Sequence, residues 1–263
     1  MAEGDFRILF VADVVGHPGR DAVKAILPGL KNELRPSLTV LNGENAAGGF
    51  GLTAKIVGEL KGAGADVITT GNHVFAQKEF VGELPGLDRV LRPANYPPSA
   101  PGQGWTVVEA GNHKVLVMNL IGRIFLDSLD DPFRAADSIL AAHPEVRIVF
   151  CDMHAEATSE KTAMGWYLDG RASAVVGTHT HIPTADARVL PGGTAYVTDV
   201  GMVGPRDSCI GMDKDVVIQR FLSGVPNRFV VASGPVTFNS VLVNIDGSTG
   251  RATSIQRIDR EHV

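Results

Sequence analysis

Short runs of apolar and β-branched residues alternate with helix-like segments in the first part of the chain, and this alternation constrains the fold more than any other feature. The runs cover residues 7–16, 37–45 and 65–73, and helical patterns extend over 18–35 and 53–63. Strands separated by helices are typical of βαβ units and of a mainly parallel sheet. The chain is therefore predicted to have an α/β fold.

The pattern changes after residue 102, where two antiparallel strands are predicted within 104–122, joined by a turn at 110–112. A second hairpin is predicted at 240–259, with Asp246 and Gly247 as its turn residues. The remaining predicted elements are a helix at 132–143 and strands at 146–154 and 173–181. Since the 263 residues contain no repeat and no linker-like tract, we expect one domain over 1–263. Its predicted architecture is a four-layer α/β/β/α sandwich of two mixed β-sheets flanked by helices.

Composition argues against several classes of function. The net charge of −5 disfavours a broad nucleic-acid-binding face, so no sequence-specific nucleic-acid partner is expected. No apolar run approaches the roughly 18 residues of a membrane span, and the N-terminus has no signal-peptide core. The two cysteines follow no metal-binding spacing. We expect a cytoplasmic protein without a membrane partner, and we also expect a homo-oligomer.

Polar side chains follow five of the predicted strands at the point where each strand ends. They are Asp13, then Glu44 and Asn45, then Asn72 and His73, then His154, and finally His179 and His181. Any one of these clusters alone is more often a turn former or a helix cap. Because ligands of α/β sheets collect at the carboxyl ends of the strands, five such clusters together predict one shared site.

Seven of these side chains carry oxygen or nitrogen ligands, namely Asp13, Glu44, Asn45, Asn72, His154, His179 and His181. That number is too large for one tetrahedral zinc, and mixed oxygen and nitrogen ligation suits Mn, Fe, Zn or Co. A shared carboxylate would let two ions lie about 3.5–4 Å apart. With two carboxylates, two dications leave a local charge of about +2, which attracts a phosphate and lowers the pKa of a bridging water towards hydroxide. The set therefore predicts in-line attack of a bridging hydroxide on phosphorus.

The orientations of His73, His179 and His181 are predicted from the geometry of an extended chain, in which side chains two residues apart face the same side. His73 follows Asn72, so its ring is expected to point away from that ligand and to protonate a leaving alkoxide. A role in orienting the ligands is the alternative for His73. By the same rule His179 and His181 share a side, and Thr180 is expected to point away and to tolerate replacement best.

The segment that follows His154 has two interpretations. Glu156, Ser159 and Glu160 could be hydrogen-bonding partners of the metal ligands. The same residues also fit the capped start of a helix, and we favour helix capping.

Taken together, the motifs resemble the calcineurin-like metallophosphoesterases, and more closely their YmdB-like subfamily of 2′,3′-cyclic-nucleotide 2′-phosphodiesterases. The similar stretches are "ADVVGHPGR", "NGENAAGGFGLT", "TTGNHVF", "DMHAEATSEK", "GTHTHIPTAD" and "YVTDVGMVGPRDSCIGMD", and they follow in the expected order over most of the chain. Val15 stands where the broader superfamily has a histidine, and Glu44 stands where it has a bridging aspartate. Both departures match the closer subfamily, with Asn45 filling the vacant ligand position.

The resemblance implies a role for each ligand. Asp13, Glu44, Asn45 and His181 would hold one metal, and Glu44, Asn72, His154 and His179 the other. Glu44 would bridge the two ions, and His73 would be the proton donor. It implies two divalent or trivalent ions per chain, Fe or Mn in preference to Zn. The implied substrate is a small cyclic nucleotide, 2′,3′-cyclic or also 3′,5′-cyclic, or another small phosphodiester.

Two other functions fit the same residues. One is a dimetal phosphomonoesterase or 5′-nucleotidase, which a panel of monoester and diester substrates would distinguish. The other is a metal-binding regulatory protein whose hydrolysis is incidental, and its cellular effect would survive replacement of Glu44 by Gln. The GxGxxG spacing of dinucleotide-binding proteins is absent from "GGFG" at 48–51.

Overall fold

The computed structural model describes residues 5–263, which form fifteen strands and six α-helices. In chain order the strands are β1 (Asp5–Val11), β2 (Asp13–Val14), β3 (Leu38–Asn42), β4 (Val67–Thr69), β5 (Trp105–Ala110), β6 (His113–Ile121), β7 (Ile148–His154), β8 (Ala174–Thr178), β9 (Arg188–Val189), β10 (Ala195–Val197), β11 (Met202–Pro205), β12 (Val236–Phe238), β13 (Ser240–Asp246), β14 (Ala252–Arg257) and β15 (Arg260–His262). The helices are α1 (Gly16–Leu34), α2 (Ala54–Gly62), α3 (Lys78–Glu83), α4 (Pro132–Ala142), α5 (Thr158–Tyr167) and α6 (Lys214–Ser223), with a 3₁₀ turn at Leu84–Gly86.

Two large mixed sheets face each other at the centre of the molecule. The first has the order β14-β13-β1-β3-β4 and the second the order β5-β6-β7-β8-β10-β9. Strands β1, β3 and β4 run parallel, as do β6, β7, β8 and β10, whereas β13, β14, β5 and β9 join their sheets through antiparallel pairs. The parallel strands of each sheet therefore end at one edge, where the polar clusters follow them.

Three apolar clusters lie between these sheets and the helices, and the packing forms four layers. The cluster between the sheets includes Phe10 and Phe150, whose ring centroids lie 5.5 Å apart. A second cluster joins the first sheet to α1 and α2, and a third joins the second sheet to α4 and α5. The predicted α/β/β/α architecture is confirmed.

A third sheet, which the sequence did not predict, has the order β15-β12-β11-β2. Its strands contain two to four residues each, too few to show a periodic pattern. Residues Val14, Val203 and Phe238 place it in the same apolar cluster as α1. Because Asp13 pairs with Met202 in this sheet, the sheet fixes the backbone of the first predicted ligand.

The predicted strands are longer than the observed ones where the chain turns into the site. The run 65–73 contains a strand only over Val67–Thr69, and residues 72–75 form a turn. Both predicted hairpins are confirmed, β5 with β6 and β13 with β14. No helix within residues 5–263 combines the length and the apolar character needed to cross a membrane.

Candidate metal centre

The predicted ligands come together at the carboxyl ends of the central strands. Asp13 begins β2 immediately after β1, Glu44 and Asn45 follow β3, and Asn72 lies in the turn after β4. His154 is the last residue of β7, and His179 and His181 follow β8. Chains of polar contacts of 3.4 Å or less link all seven side chains.

His154 is the centre of one half of this cluster. Its Nε2 lies 3.1 Å from Glu44 Oε1, 2.9 Å from Asn72 Oδ1 and 3.1 Å from His179 Nδ1. One ligand atom each from Glu44, His154 and His179 lies within 4.8 Å of the other two. One hydrogen atom cannot satisfy three acceptors equally, whereas a cation surrounded by these atoms can.

His181 is the centre of the other half. Its Nε2 lies 3.1 Å from Asn45 Nδ2 and 3.4 Å from Asp13 Oδ2. Asn45 Nδ2 also lies 3.1 Å from Glu44 Oε1, so Glu44 is in contact with both halves. A half-turn of the Asn45 amide exchanges its oxygen and nitrogen, which brings a ligand oxygen to the same place.

Two further observations fit a bound cation. Asp13 Oδ1 is buried and has no hydrogen-bond partner among residues 5–263, and an unpartnered buried carboxylate oxygen is costly unless a cation or donor meets it. Gly71 lies so close to the cluster that a Cβ there would be 2.2 Å from His154 Nε2 and 2.3 Å from Glu44 Oε2. The residues present therefore fit a metal held by oxygen and nitrogen ligands.

Charge in the cluster is concentrated on Glu44 and His154. Burial opposes the charged form of Glu44, but the adjacent His154 lowers the pKa of Glu44 to about 2. Burial likewise lowers the pKa of His154, but Glu44 and Asp13 raise it to about 9. Burial raises the pKa of Asp13 well above its ordinary value. A cation in the cluster would compete with these protons and hold both carboxylates in the charged form.

Neighbouring groups orient two of the imidazoles so that one nitrogen of each faces the cluster. His179 Nε2 lies 3.0 Å from Glu156 Oε2, which leaves Nδ1 towards His154. His181 Nδ1 donates to the Ile210 carbonyl at 2.8 Å, which leaves the lone pair of Nε2 facing the cluster. Burial lowers the pKa of His181, and burial with the charge of His154 lowers the pKa of His179 to about 3. Both rings are therefore neutral, as metal ligands must be.

His154 is oriented by residues that the sequence reasoning missed. Its Nδ1 lies 2.9 Å from Thr178 Oγ1, which donates to Asp152 Oδ1 at 2.7 Å. Asp152 is fully buried and also accepts hydrogen bonds from Asn42 and Thr69. The alternation of a strand places Asp152 on the same face as His154, so this partner could have been found from its spacing.

The prediction that His179 and His181 lie on an extended chain is wrong. Both have positive φ, 97° and 63°, a region that non-glycine residues rarely adopt. Between them, Thr180 donates its N–H and its hydroxyl to Asp199 Oδ2, at 3.1 and 2.7 Å. The histidines face the cluster because the turn is anchored at Thr180 and not because of strand alternation.

His73 lies beside the ligand cluster in a turn, and the extended geometry assumed for it is also wrong. Its backbone N–H donates to Glu44 Oε2 at 3.2 Å, and its ring packs edge-on against Phe50 with centroids 5.0 Å apart. Its Nε2 lies 3.3 Å from Asn72 Nδ2. Burial lowers the pKa of His73, so its protonated ring is a stronger acid than free imidazole.

The preference for helix capping after His154 is wrong as well. The residue that caps α5 is Ala157, which makes no side-chain capping bond. Glu156 instead contacts His179, and Glu160 accepts the backbone N–H of Arg123 at 3.0 Å. The contact between Glu156 and His179 fits the alternative interpretation, in which residues of this segment support the ligands.

Known proteins resemble this chain in sequence and in fold. The family model of YmdB-like proteins matches residues 9–258. A Bacillus subtilis protein named 2′,3′-cyclic-nucleotide 2′-phosphodiesterase is 53% identical over 253 residues, which cover 96% of each chain. A crystal structure of a hypothetical protein from Thermus thermophilus superposes with a TM-score of 0.93 at 44% identity, covering 98% of this chain and 100% of that one. A structure described as a novel phosphatase from Mycoplasma pneumoniae gives a TM-score of 0.93 at 33% identity, covering 98% and 94%.

Proposed function

Because the chain belongs to the family of YmdB-like proteins, we propose that it is a metal-dependent phosphodiesterase that hydrolyses 2′,3′-cyclic nucleotides. The observation that carries this proposal is the position of Glu44, whose carboxylate contacts ligands of both halves of the cluster. A carboxylate between two groups of oxygen and nitrogen ligands suits a pair of ions. The name of the Bacillus subtilis relative supports the choice of substrate.

The two halves of the cluster supply two sets of ligands in this proposal. One set is Asp13, Glu44, Asn45 and His181, and the other is Glu44, Asn72, His154 and His179. The absence of thiolates and the presence of amide and carboxylate oxygens favour Fe or Mn, with Zn as a further candidate. When bound, such ions supply Lewis acidity towards the phosphoryl oxygens and activate a water.

His73 acts as the proton donor in this proposal. Hydrolysis forms a bond between the water oxygen and phosphorus and breaks the bond between phosphorus and the ribose O2′. The departing O2′ is a poor leaving group unless it takes a proton. His73 lies at the edge of the cluster, where burial lowers its pKa and makes its protonated ring a stronger acid. The products are a nucleoside 3′-phosphate and a free 2′-hydroxyl.

A substrate panel tests the proposal directly. The metal-loaded protein is assayed with 2′,3′-cyclic AMP, 3′,5′-cyclic AMP, 3′-AMP and 5′-AMP, and the products are identified by chromatography. We expect the highest kcat/KM with 2′,3′-cyclic AMP, with 3′-AMP as the accumulating product. Faster turnover of either monoester would contradict the proposal and favour a phosphomonoesterase.

A variant of the bridging residue separates catalysis from other roles. Glu44→Gln removes the charge that both halves of the cluster share, and we expect loss of activity together with loss of metal. If a cellular effect of the protein persisted with the inactive variant, a regulatory role of the scaffold would be favoured.

A further inference from the structure

One cavity of about 360 Å³ opens beside the ligand cluster, and its lining divides into two sets of residues. The polar set contains the ligands Glu44, Asn45, His179 and His181, with His73, Glu156 and Thr180. The apolar set contains Phe50, Ile210, Met212, Val217, Phe221 and Phe229, with Gly49 and Cys209. The volume lies within the range of about 300–1,000 Å³ that small-molecule sites occupy.

Two aromatic side chains of the apolar set, Phe221 and Phe229, line the cavity. Phe221, on α6, lines the cavity with 85% of its surface exposed. Phe229 is half-buried, and the Arg220 guanidinium lies 4.9 Å from its ring centroid. Large apolar side chains exposed at the rim of a polar cluster are typical of ligand sites. A ligand for this cavity should therefore combine an anionic group with a flat apolar part.

We propose that the apolar set binds the nucleobase of the substrate by stacking, while the phosphate lies at the ligand cluster. This inference rests on the proposed function, since it assigns the second part of the same substrate. Both sets line one cavity, so the phosphate and the base of a single nucleotide occupy it together. The base contacts the rings of Phe221 and Phe229, and the exposed surface of Phe221 is covered when the nucleotide binds.

The chemistry of the apolar set predicts weak discrimination among bases. Apart from the weakly hydrogen-bonding sulfurs of Cys209 and Met212, the side chains of this set have no group that could recognise the edge of a base. Stacking on aromatic rings tolerates every base, because each base has a π-face. The cavity therefore distinguishes nucleotides from phosphodiesters without a base, but hardly distinguishes one nucleotide from another.

The test compares cyclic nucleotides with a cyclic phosphate that has no base. The metal-loaded full chain is assayed with the 2′,3′-cyclic phosphates of adenosine, guanosine, cytidine and uridine, and with glycerol 1,2-cyclic phosphate. We expect the four nucleotides to agree in kcat/KM within about tenfold and to exceed the base-free substrate. In Phe221→Ala and Phe229→Ala, the ratio of kcat/KM for nucleotide over base-free substrate should fall by about 5- to 150-fold, as loss of one stacking contact predicts.

A matched control lies on the same helix. Leu222 follows Phe221 and is 76% exposed, but it is not part of the cavity lining. Leu222→Ala should therefore leave the ratio unchanged. Phe221→Trp keeps an aromatic face and should restore the ratio lost in Phe221→Ala. Melting temperatures of all variants identify any that fail to fold.

The outcomes distinguish this inference from the proposed function. An unchanged ratio in both phenylalanine variants, or an equal fall in Leu222→Ala, would overturn the stacking site even if the cyclic nucleotides are hydrolysed. If light scattering showed that Phe221→Ala separates subunits while the ratio is unchanged, the patch would be a contact between copies of the chain, which also overturns the inference.

If no cyclic phosphate is hydrolysed, the proposed function fails, and calorimetric binding of 3′-AMP to the same variants still decides the base site. Equal affinity of the original chain and the variants for 3′-AMP would then contradict binding of the base by Phe221 and Phe229.

Discussion

Lys161 Nζ lies 2.6 Å from Asp199 Oδ2, and both side chains are buried beside the turn that carries His179 and His181. Lys161 also donates to the Thr178 carbonyl at 2.9 Å, immediately before the turn. Asp199 Oδ2 accepts both hydrogen bonds from Thr180. The ion pair therefore anchors, from outside the ligand cluster, the turn in which both histidines have positive φ.

We expect Asp199→Asn to destabilise the protein by about 3–5 kcal/mol, because it leaves the Lys161 ammonium buried without a charged partner. Urea unfolding of the metal-free protein measures this loss. Replacement of an exposed acid such as Asp88, whose pair with Arg89 lies at the surface, is the control and should cost less than about 1 kcal/mol. A similar cost for both variants would contradict the role assigned to the buried pair.

Thr180→Val is expected to weaken metal binding, in contrast to the prediction that Thr180 tolerates replacement best. The valine keeps the N–H bond to Asp199 but loses the hydroxyl bond, which is worth about 1.5–3 kcal/mol when the acceptor is charged. Metal titration followed by calorimetry measures the effect. Thr180→Ser keeps the hydroxyl and should bind metal as the original chain does, so equal affinities of the valine and serine variants would count against the anchor.

Gly71→Ala should remove metal binding although no ligand is changed. The added Cβ would lie 2.2 Å from His154 Nε2 and 2.3 Å from Glu44 Oε2, so both ligands have to move. Gly58→Ala is the control, because no atom beyond its chain neighbours and the backbone of its own helix, α2, lies within 4 Å of a Cβ there. Alanine there should be neutral or stabilise by about 0.5–1 kcal/mol. If Gly71→Ala kept its full metal content, the absence of a Cβ at residue 71 would not be required for metal binding.

Metal binding at pH 7 should release at least one proton per chain. In the metal-free protein, burial lowers the pKa of His154, but Glu44 raises it to about 9, so Nε2 carries a proton at pH 7 that a metal must displace. The apparent affinity should consequently rise with pH up to about 9 and change less above it. Calorimetry in buffers of different ionisation enthalpy counts the released protons, and a value of zero would contradict the proposed coordination by His154.

His73→Asn should lower kcat for 2′,3′-cyclic nucleotides by about 100- to 10,000-fold, the usual range for a general acid. The same variant should affect a diester with a p-nitrophenyl leaving group much less, because that group departs without a proton. Unchanged metal content shows that the cluster is intact. Equal losses with both substrates would instead support the alternative, in which His73 only orients Glu44 and Asn72.

The sequence located the site because its ligands follow strands, and parallel strands bring their carboxyl ends together. Glu44, His154 and His181 each lie at or just after the end of a parallel strand, and this position predicted that they share one cluster. Sequence reasoning could not reveal Lys161 and Asp199, because a charged pair buried between distant segments leaves no local pattern. It also misjudged the turn at His179, since this turn is held by the hydrogen bonds from Thr180 to Asp199 and not by a local preference of His179. The third sheet, which fixes Asp13, escaped detection because its strands of two to four residues are too short to show a periodic pattern.

Metal analysis of the purified protein tests the central claim most directly. We predict about two equivalents of Fe or Mn per chain, and substantial loss of metal in His179→Ala, which removes a ligand from the half centred on His154. A matched change at the exposed His17, which pairs with Asp21 away from the cluster, should leave the metal content as it is. One tightly bound zinc per chain, or no metal at all, would contradict the account.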